Sequence, residues 1–189
     1  MKWSQYIKKY DECLEDMEEK KALRILKSAI KNHVCFSGKE IADISEELYL
    51  DDKMILALFE SSDKTSYQAK DLERIIISLR DEKNLRKVIN EICKFPLHFK
   101  ENELLSLCEV LFEEEYIGKI LLANQSKLSK DIFDDICLFF TDEHILKKVA
   151  QKNKIPYVYN QPRKENRIGF IRLIMIMIGF FSSDDQNDL

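Results

Sequence analysis

The chain has 189 residues, of which 45% are hydrophobic and 34% are charged, and its formal net charge is −4. Only 4 glycines and 3 prolines occur, so the residues of tight turns are scarce, which argues against sandwiches, barrels and glycine-fingerprint nucleotide folds. The apolar content argues against disorder, the small net charge gives no general attraction to nucleic acid, and the length fits one domain.

The N-terminal region and the cysteines predict a cytoplasmic protein. The first fifteen residues contain no apolar run of signal-peptide length. The five cysteines are widely spaced, odd in number and without a CxxC pair, and four of them stand beside apolar residues. We therefore expect small buried hydrophobes in a reducing cytosol rather than a disulfide framework. The cysteines are Cys13, Cys35, Cys93, Cys108 and Cys137.

A repeat runs through the middle of the chain. Each copy starts with an acidic residue followed by an aliphatic one, and the steps between copies are 31, 32 and 28 residues. Counted from the aliphatic residue, a large apolar residue stands seven positions later in every copy, which we call the seventh-position residue. The first three copies have another at three positions. This spacing places the side chains on one helical face. The starting pairs are Glu40-Ile41, Asp71-Leu72, Glu103-Leu104 and Asp131-Ile132.

Two acids precede a second apolar stripe in every copy. Acidic side chains are favoured at a helix N-terminus, so each copy predicts two short antiparallel helices of about 10 to 14 residues. Thr141 is the predicted N-cap of the last helix, and Ser37 to Glu40 has the form of a capping box with Phe36 as its hydrophobic staple. The acid pairs are Asp51-Asp52, Asp81-Glu82, Glu113-Glu114 and Asp142-Glu143.

One such hairpin cannot bury both of its apolar stripes, so neighbouring hairpins must stack. The predicted fold is all-α, a right-handed stack of about four to five antiparallel helical hairpins that resembles an α-solenoid of the HEAT-like kind. The resemblance is one of architecture over roughly residues 36–153, with a shorter period than HEAT repeats; it implies a binding surface and brings no functional residues. The predicted organisation is a repeat domain at 1–153, with a degenerate first unit at 1–34 and units near 36–64, 65–95, 96–126 and 127–153, then a basic linker at 154–167, an apolar segment at 168–181 and an acidic tail at 182–189.

Charge is unevenly distributed in the last part of the sequence. Residues 101–143 hold eleven acids against three lysines, whereas residues 147–172 hold eight basic residues against one acid. This distribution predicts either two solvated faces that partly neutralise each other, or an anion-facing patch for acidic protein, lipid headgroups or nucleic acid. The candidate patch consists of Lys152, Lys154, Tyr157, Tyr159, Arg163, Lys164, Arg167 and Arg172.

The segment at 168–181 is apolar on every side except at Arg172, so something must cover it. As a helix it would span about 21 Å, short of the roughly 30 Å hydrocarbon core of a bilayer. Three covers are open: burial in the repeat stack, a homodimer or partner interface through Ile168 to Phe181, and a membrane surface approached with the upstream basic residues. A strand paired with Tyr157 to Tyr159 is a further alternative.

Motifs for catalysis and metal binding are absent from the sequence. It contains no phosphate loop, HExxH helix, GxSxG elbow or GxGxxG turn. Cys93 and His98 lack the second ligand pair that zinc needs, and Cys137 stands in an apolar run that does not activate a thiol toward His144. We therefore predict no catalytic residue, cofactor or metal, and no enzyme.

Protein binding is the predicted function, as an adaptor, an inhibitor or an immunity-type neutraliser. One alternative is a peripheral membrane protein that uses the basic linker and the apolar segment. Nucleic-acid binding through residues 147–172 is less favoured. A DNA-binding helix-turn-helix over residues 40–59 is disfavoured because it lacks the turn glycine and offers only Lys53 to DNA.

Overall fold

The computed structural model describes residues 3–65 and 67–157, and the regular elements within them are helical, with no β-strand. The prediction of an all-α fold is confirmed. A 3₁₀ turn at Trp3–Gln5 precedes the α-helices, which are α1 (Ile7–Glu15), α2 (Glu19–Lys31), α3 (Gly38–Glu47), α4 (Asp52–Glu60), α5 (Ala69–Ser78), α6 (Glu82–Ile92), α7 (Glu101–Val110), α8 (Glu114–Ala123), α9 (Lys130–Cys137) and α10 (Glu143–Asn153).

Each predicted unit contains two of these helices, joined by a short turn. The helices α3 to α10 have 8 to 11 residues, so the predicted range was slightly too long. The first helix of a unit ends before the last residues of its apolar stripe, because those residues belong to the turn between the two helices. Leu79 and Leu111, for example, follow α5 and α7 with extended backbone.

Helices of successive units pack against each other in two rows. The helix α3 contacts α5, α5 contacts α7 and α7 contacts α9, while α4 contacts α6, α6 contacts α8 and α8 contacts α10. We call the first row, α3, α5, α7 and α9, the first-helix layer, and the second, α4, α6, α8 and α10, the second-helix layer. This arrangement is compatible with a helical repeat fold.

The N-terminal end of the stack is closed by an aromatic cluster. Trp3 is buried, and its ring stands 5.2 Å from the ring of Phe36 and 5.3 Å from that of Tyr10, measured between centroids. Edge-on and tilted aromatic contacts at these distances are favourable beyond the area they bury. The first hairpin, α1 with α2, therefore joins the same hydrophobic core as the repeat units.

Two glycines stand where a side chain of the next unit approaches closely. A Cβ atom at Gly118 in α8 would lie 2.5 Å from Cγ2 of Ile145 in α10, and one at Gly38 would lie 2.9 Å from the Tyr67 ring. Such contacts are too short for a real side chain. These glycines therefore serve the packing of helices against their neighbours.

The structure confirms one predicted cap and corrects another. Ser37 and Glu40 form the capping box at the start of α3. Thr141, in contrast, is not the N-cap of α10: the Oδ1 atom of Asp142 accepts from the backbone N–H of His144 at 2.8 Å, and the hydroxyl of Thr141 donates to Glu114. The first acid of the pair caps the helix because the helix begins one residue later than predicted.

The expectation of buried cysteines is wrong for Cys35, which is exposed between the buried residues Val34 and Phe36. The backbone is extended there, so successive side chains point to opposite sides. Cys108 is buried, and burial raises the pKa of its thiol to about 12. The remaining cysteines, Cys13, Cys93 and Cys137, are partly buried, and all five are free thiols.

Candidate protein-binding surface

The two layers of helices differ in charge. The first-helix layer contains twelve acidic and four basic residues, a difference of eight negative charges. The second-helix layer contains eight basic and seven acidic residues and is close to neutral. A field of one sign over a layer attracts partners of the opposite charge and repels those of the same charge.

Some acids of the first-helix layer also join neighbouring units. Arg74 of α5 reaches back to α3, where its guanidinium donates to Asp43 at 2.8 Å and to Glu46 at 2.5 and 2.6 Å. These hydrogen bonds and the charge of Arg74 hold the pKa of Glu46 below its usual range. In the next pair of units, the hydroxyl of Ser106 donates to Glu73 at 2.9 Å.

The turns inside successive hairpins lie side by side along one edge of the stack, which we call the turn edge. Asp52 accepts from the backbone N–H groups of Arg80 at 3.1 Å and of Asp81 at 2.9 Å, and from the Asn84 amide at 3.1 Å. Burial raises the pKa of Asp52, but these hydrogen bonds outweigh it, so the net pKa is lowered.

The same relation recurs further along the turn edge. Tyr116 donates its hydroxyl hydrogen to Glu82 at 3.1 Å, and Glu114 accepts from the backbone N–H of Asp142 at 2.8 Å. The second acid of these pairs therefore bonds to the following unit. The turns of neighbouring units must be in contact for these bonds to form.

One large apolar side chain per unit is exposed on the turn edge. We name this row the turn ridge and define it as Tyr49, Ile77, Phe112 and Leu138, which are 84%, 64%, 58% and 60% exposed. Each of the four lies at or just beyond the C-terminal end of a helix of the first-helix layer. Single exposed apolar residues are normal on a protein surface, so it is the recurrence at the same part of four successive units that distinguishes this set.

Tyr49 stands on the ridge with a left-handed backbone, at φ 46°. Met17 occupies the corresponding turn of the first hairpin with φ 55° and is 88% exposed. The left-handed region costs a residue with a Cβ atom about 1–2 kcal/mol, and glycine or asparagine would fit better. Large apolar side chains kept at a strained and exposed position point to a role other than stability.

The opposite edge, where one unit connects to the next, is organised differently. We call it the linker edge. A large apolar residue stands two positions before each first helix and is buried there: Phe36, Tyr67, Phe99 and Leu128. The linkers also pair through their backbones, because Phe36 bridges to Ser62 and Leu97 bridges to Asn124.

Asn124 holds the linker edge together from inside the protein. It is 1% exposed, its Oδ1 atom accepts from the backbone N–H of Phe99 at 2.7 Å, and its Nδ2 atom donates to the carbonyl of Phe99 at 3.2 Å. The buried Asn124 amide thus pairs with both the backbone N–H and the carbonyl of Phe99, as the backbone of a neighbouring strand would.

Three residues of the predicted basic patch lie within the described part of the chain. The ammonium of Lys152 donates to the carbonyls of Leu121 at 3.1 Å, Leu122 at 2.9 Å and Asn124, which caps the C-terminus of α8. Burial lowers the pKa of Lys152. Lys154 is exposed and ends α10 in a left-handed conformation.

Tyr157 packs its ring edge-on against Phe133 of α9, with 5.4 Å between the ring centroids. The other residues of the predicted patch, Tyr159, Arg163, Lys164, Arg167 and Arg172, lie outside the described residues, as does the apolar segment 168–181. The patch therefore stays a prediction. The sequence analysis did not predict the turn ridge. The available signal was a second apolar residue within two positions of the seventh-position residue in every copy.

Neither a metal site nor a membrane span is found in residues 3–65 and 67–157. No group of three or more histidine, cysteine or acidic side chains in these ranges is arranged to hold a metal ion. Likewise, no helix there is long and apolar enough to cross a bilayer.

The chain matches no protein-family model, and searches of curated proteins and of solved structures give no match either.

Proposed function

We propose that this chain is a non-enzymatic α-solenoid of helical hairpins that binds another protein, as an adaptor, an inhibitor or an immunity-type neutraliser. The turn ridge carries the proposal, because it repeats one exposed apolar side chain in each of four successive units. The contacts between helices of successive units, which form two rows, support a stack of helical hairpins, and its right-handed sense is part of the proposal.

The charge of the first-helix layer favours a protein partner with a basic or neutral surface. The turn ridge lies at the end of this layer, and the exposed acids Asp51, Asp81, Glu113 and Asp142 follow it in the turns. Phosphate groups of nucleic acid and of anionic lipid would be repelled there. A polypeptide that combines apolar side chains with lysine or arginine fits both properties of the surface.

The experiment is affinity capture from the native host with a ridge variant. The variant carries Tyr49→Ser, Ile77→Ser, Phe112→Ser and Leu138→Ser, and its captured proteins are quantified by mass spectrometry against the unchanged chain. We expect a partner captured by the unchanged chain to be lost from the ridge variant. The control carries Ile7→Ser and Leu122→Ser, which remove apolar side chains that are 39% and 38% exposed away from the ridge.

Capture by the control variant must equal that by the unchanged chain. Both variants must also unfold at nearly the same temperature as the unchanged chain, since substitutions at exposed positions change stability by about 0.5 kcal/mol or less. A ridge variant that folds and still captures the same proteins would contradict the proposal.

The alternative of a peripheral membrane protein depends on residues 154–181, most of which lie outside the described residues. Flotation with anionic liposomes at low salt tests it, and co-migration that persists in the ridge variant would favour the membrane over a protein partner. Retardation of DNA or RNA at low salt tests nucleic-acid binding through residues 147–172 in the same way.

A further inference from the structure

The helix α2 of the first hairpin has the largest excess of basic over acidic residues among the helices of the described chain. It contains five basic residues and one acid. Four of the five stand at positions i, i+4, i+7 and i+11, which lie within about 60° of one another around a helix of 3.6 residues per turn. We call these four the basic row: Lys20, Arg24, Lys27 and Lys31.

The basic row lies on the solvent side of α2. All four of its side chains are exposed, while Ala22, Leu26 and Ala29 are buried on the opposite face of the helix. The row extends over about 16 Å along the helix axis, at 1.5 Å per residue. None of the exposed large apolar side chains of the described residues belongs to α2. The helix therefore presents a straight row of cations to the solvent.

The basic row has no negative partner within α2. Lysines of other helices form ion pairs within their own helix, as Lys119 does with Glu115 at 2.6 Å. In residues 3–65 and 67–157, the ion pair of α2 is that of Lys21 with Glu18, and it leaves out the row. Each member of the row has another member three or four positions away, where like charges destabilise a helix. The row is therefore unfavourable by itself and becomes favourable beside negative charge.

The surroundings of the basic row favour an acidic protein segment over the other anionic ligands. The sequence of α2 contains no aromatic residue on which a nucleic-acid base could stack. The helix also exposes no large apolar side chain that could enter a bilayer. Without the four charges of the row, the formal net charge of the chain changes from −4 to −8, so an array of phosphates that extends beyond the row is repelled.

We propose that the basic row of α2 is a second docking surface, which binds an acidic helix of a protein partner. Carboxylates at i, i+4, i+7 and i+11 of that helix have the spacing of the row, so one stands beside each cation. The turn ridge, in contrast, is proposed to bind a polypeptide that is apolar and basic. A chain with both surfaces joins two proteins of opposite charge, as an adaptor does. The row goes beyond the proposed function, because its binding does not need the ridge.

Fluorescence anisotropy of a labelled helical peptide with the full chain tests this surface. The probe is an alanine-rich peptide of about twenty residues with glutamates at i, i+4, i+7 and i+11, used at about 0.05 M salt so that screening is weak. The row variant carries Lys20→Gln, Arg24→Gln, Lys27→Gln and Lys31→Gln. We expect it to bind the peptide about tenfold to a hundredfold more weakly than the unchanged chain, because four exposed ion pairs are lost.

A matched control removes the same charge at other places on the surface. It carries Lys8→Gln, Lys94→Gln, Lys130→Gln and Lys147→Gln, which replace lysines that pair with acids of their own neighbourhood. We expect the control to bind the peptide within about twofold of the unchanged chain, since charges beyond the screening length contribute little. The ridge variant should bind it equally well, so this proposal and the proposed function fail separately. Circular dichroism checks that each variant is folded.

A second peptide tests the spacing without any change to the protein. It has the same composition, but its four glutamates are spread around the helix, so only one or two can face the row at once. We expect this peptide to bind the unchanged chain about tenfold more weakly than the first. Equal affinity for the two peptides would overturn the match between the acidic helix and the row.

The remaining outcomes are equally decisive. Tight binding of the first peptide by the unchanged chain and the control, together with its loss in the row variant, supports the proposal. Equal binding by the row variant and the unchanged chain overturns it, as does the absence of binding at low salt. A single-stranded oligonucleotide or vesicles of anionic lipid that bind through the row more tightly than the peptide also overturn it, and assign the row to phosphate groups.

Discussion

The linker edge of this stack buries its large apolar residues, whereas the turn edge buries some, such as Leu111, and exposes others. On the linker edge, Phe99 is 3% exposed, and both of its backbone groups are paired with Asn124. On the turn edge, Phe112 is 58% exposed, only thirteen positions later in the same unit. One edge therefore stabilises the stack, while the other leaves large apolar side chains exposed to solvent.

The difference follows from what each edge must do. A linker that joins two units is surrounded by helices of both, so its apolar residue has a place to pack. A turn that joins two antiparallel helices projects beyond them, and its bonds to the next unit come from carboxylates such as Asp52 and Glu114. Some apolar side chains of the turns, such as Leu50 and Phe140, pack in the core, whereas those of the ridge are exposed.

The largest expected effect compares the same substitution on the two edges. Phe99→Ala should lower the free energy of unfolding by about 3–5 kcal/mol, because it opens a cavity in the core. Phe112→Ala should lower it by about 1 kcal/mol or less. Urea unfolding followed by circular dichroism measures both, and equal losses would mean that the two edges do not differ as described.

Asn124→Ala tests the polar part of the linker edge. It leaves the N–H and carbonyl groups of Phe99 buried without their partner, which should cost about 2–3 kcal/mol. Gln125→Ala, at the exposed neighbouring position, is the control and should cost about 0.5 kcal/mol or less. Thermal unfolding distinguishes the two, and a stable Asn124→Ala protein would show that the linkers hold without this amide.

Asp52→Asn tests the bonds between turns and should cost about 1 kcal/mol at neutral pH, because a charged acceptor is replaced by a neutral one. The pKa of Asp52 is lowered in the folded state, so its contribution is present above the unfolded value of about 3.9 and is lost as the pH falls through the folded value. The difference from the unchanged chain should therefore vanish in acid. Asp51→Asn, at an N-cap where asparagine serves equally well, is the control. A difference that persists at low pH would contradict this explanation.

The smallest effect has the opposite sign. Tyr49→Asn should stabilise the fold by about 0.5–1 kcal/mol, because asparagine tolerates the left-handed backbone better than tyrosine. The same change on the ridge at Ile77, which has helical backbone, should not stabilise. Melting temperatures compare the two variants, and capture of the partner should weaken in both.

The helices were predictable, because a 3.6-residue period and paired acids are local properties of the sequence. The capping box at Ser37 was predictable for the same reason. The hydrogen bonds from the second acid of each pair to the next unit were not predictable. The sequence gives no measure of how far Asp52 lies from the turn at Arg80. Thr141 and Cys35 were misplaced because one residue of shift changes which side chain caps or faces inward.

The ridge escaped prediction for a similar reason. Its members stand one after, two before, one after and one before the seventh-position residues Leu48, Leu79, Leu111 and Phe139. These irregular offsets hide the ridge from a search for a fixed spacing in the sequence. A period describes which residues share a helix face, and it says nothing about where each helix stops.

The direction of the bonds between units bears on how the chain is made. In most of them the later unit donates and the earlier one accepts, as when Arg74 bonds to Glu46, Asp142 to Glu114 and Lys152 to the carbonyls at the end of α8. As the polypeptide leaves the ribosome, each unit therefore presents acceptors with which the following stretch of chain then pairs. During synthesis, each new hairpin is therefore expected to dock on the one made before it, in steps of about thirty residues.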